Sequence, residues 1–285
     1  MIKVAIIGTG QIGFDLLHKL MKLEFVDIVA FVGRRPPTKQ LPKNVFYSEK
    51  SIIFFKENPN FCDVVFDCTD AYSAVENSKV FLEQKITVID LTPSNIGDFY
   101  IPNITSSVSL NINMVTCGGQ ASIPLLNYID NKLRCIEYAE VVTQINSESA
   151  GMATRINIDK YIDTTETAIK KFTNTQNCKV ILNINPSVNS KMQTTIFIKT
   201  TKNCDDIKFE DFDEFVKQMH GYVENYKIDK PKFLSKNLLM ANITITSSGD
   251  ILSKYAGNLD IINCAAIHSL KHIYNKNYIN ALYPL

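Results

Sequence analysis

Val4-Ala-Ile-Ile-Gly-Thr-Gly-Gln-Ile-Gly13 is the stretch whose reading decides the fold. A short β run, residues 2–7, enters Gly8-Thr9-Gly10-Gln11-Ile12-Gly13, and Phe14, Leu16, Leu17, Leu20 and Met21 follow at helical spacing. Strand, glycine turn and helix in this order form a dinucleotide fingerprint; a bare GxGxxG without that context says little. Gly8 makes the tight turn, Gly10 lets a pyrophosphate approach the backbone, and Gly13 allows the helix to pack against the strand. The amides from Gln11 and Ile12 onward, at the positive end of the helix, then meet the phosphates, with Thr9 in the turn between. The alternative is a glycine turn that serves packing alone.

Outward from this stretch, apolar runs alternate with helical patterns. Residues 26–32 read as a second strand, stopped by Gly33-Arg34-Arg35-Pro36-Pro37. Asp63-Val-Val-Phe-Asp67 and Ile86-Thr-Val-Ile-Asp90 each end in an acid, and a helical stretch over 71–83 separates them. Such alternation predicts right-handed crossovers and a Rossmann-type, doubly wound parallel sheet over residues 1–116. Asp67 and Asp90 at the strand ends either face a cofactor crevice or cap their loops. Beyond residue 116 the pattern changes. Residues 138–146, 179–185, 194–199 and 239–246 alternate apolar and polar side chains, as half-buried strands do. Helical patterns cover 157–172 and 211–220. The expected fold class is α/β, with an α+β second domain over 117–257 built on a mainly antiparallel sheet. A last helix, about 258–285, is expected to pack back on the first domain.

Composition excludes several classes. Lys and Arg number 30 against 29 Asp and Glu, so neither nucleic acid nor a charged membrane surface is an expected partner. No run reaches the ~18 apolar residues of a membrane span, and Met1 leads straight into the first strand with no secretory leader, so a cytoplasmic location is expected. The seven cysteines (62, 68, 117, 135, 178, 204 and 264) are scattered without a CxxC pair, which predicts reduced thiols and no zinc site. His268 and His272 are spaced to share a helix face but lack an obvious third ligand, so no metal is expected.

One cysteine stands apart. In residues 113–120, Asn-Met-Val-Thr-Cys-Gly-Gly-Gln, a run of β-formers (Ile112, Met114, Val115, Thr116) leads into Cys117, two glycines free the backbone, and a helix is read from Ala121 to Leu133. A thiol at the positive end of a helix is expected to ionise readily and act as a nucleophile. Arg34 and Arg35 stand where an NAD-binding fold usually carries an acid for the ribose; they either grip a 2′-phosphate, which favours NADP, or form a solvated pair. Arg155 and Asp159 either meet a phosphate or pair with each other. Asn258 either caps the last helix or reaches the cofactor.

With these residues in view, the chain resembles the acylating, coenzyme A-dependent acetaldehyde dehydrogenases that pair with 4-hydroxy-2-oxovalerate aldolase. The resemblance runs nearly end to end, through residues 4–13, 89–93 (Ile-Asp-Leu-Thr-Pro), 113–124, 149–159 (Ser-Ala-Gly-Met-Ala-Thr-Arg-Ile-Asn-Ile-Asp) and 255–261 (Tyr-Ala-Gly-Asn-Leu-Asp-Ile). It implies NAD, with NADP as the alternative, coenzyme A as co-substrate, a small aldehyde as substrate, and Cys117 as the acylated nucleophile. It also implies cofactor contacts from Thr9 to Ile12, from the loop of Ser149, Ala150, Gly151, Met152, Ala153, Thr154, Arg155, Ile156 and Asn157, and from Asn258. The second domain becomes the catalytic and dimerisation domain, so a homodimer is expected, with a class II aldolase as a further partner. Three departures stand out. Met152 and Ala153 replace Pro and Gly of the family's loop. Thr194, within Met192-Gln193-Thr194-Thr195, stands where the family has the aspartate of Met-Arg-Asp-Thr. The segment between Tyr226 and the strand at 239–246 is shorter than in the family. Two other readings stay open: another cysteine-dependent semialdehyde or acyl reductase, and a catalytically weak, cofactor-binding partner of an aldolase.

Overall fold

The computed structural model describes residues 1–37, 40–107, 109–203 and 207–282. The chain forms two compact units, Met1–Met114 together with the chain from Asn263 onward, and Val115–Ile262. Cys204 lies outside the described residues.

The first unit contains β1 (Ile2–Ile7), α1 (Gln11–Leu20), β2 (Val26–Val32), β3 (Phe46–Ser48), α2 (Ile52–Glu57), β4 (Val64–Asp67), α3 (Ala71–Glu83), β5 (Thr87–Asp90), β6 (Asp98–Phe99) and β7 (Asn111–Asn113). They build a seven-stranded sheet in the order β3-β2-β1-β4-β5-β7-β6, and every pairing is parallel. Val4 to Ile7 are fully buried, the pattern of a central strand covered on both faces. The order runs outward from β1 through β2 on one side and from β4 on the other. The gap between β1 and β4 is therefore the topological switch point, where ligands of such sheets bind. Ala5, Ile7, Val65 and Val88 pack with Phe54, Phe55 and Phe81 in the core, and the rings of Phe55 and Phe81 meet edge-on at 4.9 Å.

The second unit contains α4 (Cys117–Leu133), β8 (Ile136–Asn146), α5 (Met152–Ile156), α6 (Ile158–Phe172), β9 (Cys178–Asn185), β10 (Met192–Thr200), α7 (Phe209–His220), β11 (Tyr226–Ile228), β12 (Lys232–Ser235) and β13 (Leu238–Ile245). Its sheet runs β11-β13-β10-β8-β9, with β12 also on β13. β10 alternates buried and more exposed residues along its length, as a strand with one open face does. The pairings are antiparallel except for β8 with β9, which α6 joins as a crossover. Local departures from the sequence reading concern the approach to Cys117 and the 149–157 segment. The helix begins at Cys117 itself, and the preceding strand ends at Asn113. Met152–Ile156 is a short helix within what reads as a loop.

A final helix, α8 (Gly257–Leu282), gives its residues from Asn263 to the first unit. Asn263 Nδ2 donates to Ile12 O at 3.1 Å and to Asp15 Oδ2 at 2.7 Å, which fastens α8 to α1. Farther along, Tyr100 Oη lies 2.9 Å from His268 Nδ1 and 3.1 Å from His272 Nδ1. The histidine pair thus finds its third partner in a phenol. Among the described residues no group of three His, Cys, Asp or Glu is arranged to hold a metal. A single hydroxyl donates to one imidazole and accepts from the other, so the two rings take opposite tautomers. Burial holds His268 below the ordinary imidazole value of 6.5, and His272 and Lys271 push the same way. The folded state therefore resists a proton that the unfolded chain takes up. Stability supplied by the neutral ring is present above pH 6.5 and is lost as pH falls below it. Wild type should lose more thermal stability than His268→Gln between pH 8 and pH 5.5, roughly the ordinary titration range of histidine. Parallel melting curves of the two proteins across that range would discount the effect.

Candidate active site

In the first unit the fingerprint glycines are where backbone meets backbone. Gly8 has φ +111°, and a Cβ there would collide with the main chain of Cys68 at the end of β4. A Cβ on Gly13 would strike the carbonyl of Gly8, while in front of Gly10 there is open space. Gly10 is the N-cap of α1 and no side chain caps the helix. The first amides of α1, at Gln11, Ile12 and Gly13, thus lie at an open, positive helix end. Thr9 Oγ1 donates to Arg35 O at 2.7 Å, and this bond brings the exposed Arg34–Arg35 segment at the end of β2 beside the glycine turn. An open helix N-terminus, a glycine with clear space before it and two adjacent guanidinium groups fit the diphosphate and ribose end of a dinucleotide.

Asp67 and Asp90 are register neighbours on β4 and β5, each 1% exposed. Asp67 accepts from Thr69 N (2.9 Å) and Asn77 Nδ2 (2.8 Å); Asp90 accepts from Thr92 N (2.7 Å) and Asn113 Nδ2 (3.1 Å). Burial raises both acids, Asp90 to about 7, with the neighbouring Asp67 adding to it. Their acceptor oxygens close the loops that follow their strands.

In the second unit, Cys117 occupies the first position of α4. Thr116, in extended backbone, is the N-cap; its Oγ1 accepts from Gly119 N at 2.9 Å and sits 2.7 Å from Thr165 Oγ1. Val115 has φ +61°. A β-branched residue reaches this region only under strain of about 1–3 kcal/mol. Its side chain is fully buried, and a Cβ on Gly119 would come within 2.7 Å of Val115 Cγ1. The cysteine is half-buried, and the sulfur lies 3.9 Å from Tyr161 Oη. Burial pushes the Cys117 thiol up to about 11, against the opposing pull of Tyr161 and of the Gly118 and Cys117 amides. An acidic resting thiol, expected from the helix terminus alone, is therefore corrected: desolvation outweighs the helix end. Of the other described cysteines, only Cys62 and Cys135 are buried, while Cys68, Cys178 and Cys264 are partly exposed.

The 149–157 segment divides in two. Ser149, Ala150 and Asn157 are buried, whereas Gly151, Met152, Arg155 and Ile156 are exposed and Ala153 and Thr154 intermediate. Ser149 Oγ donates to Asn146 O at 2.9 Å. Arg155 donates from Nε to Ala150 O (3.0 Å) and from Nη2 to Ser147 O (3.2 Å), so it braces the segment from within. Asn258 Nδ2 donates to Ser149 O at 3.5 Å, and its buried Oδ1 has no hydrogen-bond partner among the described residues. Asn157 Oδ1 is likewise buried without one. The carbonyl of Asn157 accepts from Tyr161 N at 2.8 Å, so the end of this segment starts the helix that carries Tyr161. Two buried carbonyl oxygens short of a donor fit a ligand that brings N–H or O–H groups.

Around Cys117 lie residues that sequence reasoning passed over. Tyr161 is buried, shares hydrogen bonds with Thr143 and Thr116, and stands where a Cβ on Gly118 would strike its hydroxyl. Thr143 Oγ1 is 3.1 Å from Thr194 Oγ1, and both threonines are fully buried. Nothing in the spacing marks Thr143 and Tyr161, and Thr194 stood out only as a departure from the family motif; the three meet because β8, α6 and β10 are neighbours in the fold.

Both units of the chain are similar to known protein families. Residues 117–253 match the family described as prokaryotic acetaldehyde dehydrogenase, dimerisation. Residues 3–96 match that described as semialdehyde dehydrogenase, NAD binding domain. The chain is 42% identical to acetaldehyde dehydrogenase of Pectobacterium atrosepticum, over 97% of each chain. It is 42% identical to that of Spirochaeta aurantia, over 93% of this chain and 92% of the relative. In fold it is similar to aspartate semialdehyde dehydrogenase II of Vibrio cholerae, with TM-score 0.71 at 15% identity over 96% of this chain and 99% of the other. The NADP-bound aspartate semialdehyde dehydrogenase of Candida albicans aligns with TM-score 0.64 at 14% identity, over 97% and 99%. An oxidoreductase with a nucleotide-binding first unit and a dimerisation-type second unit, the chain belongs to the prokaryotic acetaldehyde dehydrogenase family.

Proposed function

We propose that this protein is an acylating aldehyde dehydrogenase, oxidising a short-chain aldehyde with NAD(P) and passing the acyl group to coenzyme A through a thioester on Cys117. The observation that carries the reading is Cys117 at the first position of a helix, half-exposed and flanked by backbone amides. The thiolate attacks the aldehyde carbon and gives a thiohemiacetal. Its oxyanion is held by N–H groups at the start of α4, which point where negative charge develops. What a bound nicotinamide supplies is an acceptor for the hydride on that carbon. The acyl group is then held as a thioester on Sγ. The thiol of coenzyme A, as its thiolate, attacks this thioester and expels the Cys117 thiolate.

The cofactor would be held by Gly8, Thr9, Gly10, Gln11, Ile12 and Gly13 at its diphosphate, by Arg35 near its ribose, and by Ser149 to Asn157 and Asn258 toward its nicotinamide. The unpartnered Oδ1 of Asn258 suits a carboxamide N–H. The exposed arginines after β2 favour NADP over NAD. The second unit would carry catalysis and pair two copies into a homodimer, and an aldolase would deliver the aldehyde.

A weakly catalytic partner subunit is the second reading. It draws on Thr194, a neutral hydroxyl that cannot act as a base near pH ~7, where the resemblance implies an acid.

With acetaldehyde or propanal, coenzyme A and NAD or NADP, the purified protein should generate reduced nicotinamide absorbance. Cys117→Ala should lower kcat more than about a thousandfold while leaving cofactor affinity intact. Cofactor binding without turnover on any short aldehyde would favour the partner reading. Separately, Arg35→Asp should shift the NADP-to-NAD ratio of kcat/KM toward NAD about tenfold or more, the scale of one lost charge-assisted contact to phosphate. An unchanged ratio would remove the arginine argument.

A further inference from the structure

We propose that Tyr161 is the hydrogen-bonding partner of the Cys117 sulfur in the reaction, and that Thr143 and Thr194 are the positioning residues that aim it. The inference rests on Cys117 being the nucleophile.

Its grounds are geometric. The hydroxyls of Thr194, Thr143 and Tyr161 form a line that ends at Cys117 Sγ, with 3.1 Å between the threonines and 3.9 Å between phenol and sulfur. Thr116, the N-cap beside Cys117, bonds to the same phenol. α6 is held at this depth because Gly118 leaves room for the phenolic oxygen. Thr165 Oγ1, one turn on, donates back to Tyr161 O at 2.7 Å.

A hydroxyl both donates and accepts, so such a line can reverse its direction. With a neutral thiol, S–H points at Tyr161 Oη and the phenol proton points toward a threonine. When the thiol gives its proton to solvent, the phenol proton turns to the thiolate, the Thr143 hydroxyl turns to donate to Oη, and Thr194 donates to Thr143 in its place. No charge besides the sulfur's is created in the interior. Burial holds the Tyr161 phenol far above its ordinary range, and the nearby Cys117 adds to it, so Tyr161 remains a donor and does not act as a base. The groups acting on the thiol are this phenol, from α6, and the amides of Gly118 and Cys117, from α4. At the far end the line reaches Thr194, the position where the resemblance implies an acid. A chain of neutral hydroxyls therefore occupies the place of a charged assistant, and it steadies the thiolate without drawing off its proton.

The test is the rate of alkylation of Cys117 by iodoacetamide from pH 7 to 10, read by peptide mass spectrometry on the full-length protein. Tyr161→Phe should shift the profile upward by about one pH unit, so that labelling at pH 8 is roughly tenfold slower. Thr143→Val and Thr194→Val should slow it in the same direction, and Thr143→Ser and Thr194→Ser should restore it. A merely structural role would not give rescue by serine. A Tyr161→Phe profile that coincides with wild type overturns the inference. If that variant does not fold, coincident profiles for Thr143→Val and wild type overturn it equally. Turnover by Cys117→Ala separates the two readings. Wild-type activity in that variant removes the nucleophile itself, whereas a dead Cys117→Ala with an unshifted Tyr161→Phe removes only the hydroxyl partner.

Discussion

The first unit depends on main chain touching main chain at the end of β1. Gly8 lies against the backbone of Cys68, and Gly13 against the carbonyl of Gly8, so strand, turn and helix nest without a side chain between them. This close approach sets the position of α1 relative to the sheet. It thereby sets the seat of α8, because Asn263 reads both the carbonyl of Ile12 and the carboxylate of Asp15 on α1. A single methyl group at either glycine would move the helix, its open N-terminus, and the bonds that hold α8.

The second unit meets a different constraint: a thiol and its polar partners must be kept in a largely apolar interior. Buried ions cost several kcal/mol each unless they are well paired, whereas a buried hydroxyl is tolerated once it has a hydrogen bond. Thr116, Thr143, Thr165, Thr194 and Tyr161 satisfy one another in pairs and carry no charge. Cys117 shares that environment, and desolvation keeps its thiol protonated at rest. Sulfur and hydroxyls thus form one neutral system that becomes charged only when the thiol ionises.

Much of this was legible in the sequence, and the limits have physical causes. The β1–α1 junction is local, and its glycine spacing is dictated by contacts within a few residues, so the motif speaks for itself. The parallel sheet was equally legible, since Val64–Asp67 and Thr87–Asp90 are short apolar runs with a helical stretch between them. The parallel β8–β9 pair inside a mainly antiparallel sheet was not read, because alternation along a strand does not reveal the direction of its neighbour. Val115 looked like a strand residue by propensity, and only the packing around it imposes φ +61°. The acidity expected of Cys117 came from one local term, the helix end, while burial is a property of the whole unit. Tyr161 and Thr143 escaped for the same reason, and Thr194, noted only as a departure from the family motif, gave no sign of the neighbour it meets. They lie on separate elements, β8, α6 and β10, and no spacing encodes a contact that tertiary structure makes.

The strained turn before Cys117 also ties together the changes this segment can accept. The Val115 side chain fills the space where a Cβ on Gly119 would stand. Alanine at 119 therefore collides with the valine at 115, and with 115 trimmed its Cβ would still press on Thr116 Oγ1 at 3.1 Å. Trimming 115 first empties a buried site, at a loss of roughly 1 kcal/mol per methylene removed. Trimming also relieves the backbone strain of a β-branched residue at φ +61°, so the two positions are energetically coupled. Tolerance at either position therefore depends on its companion.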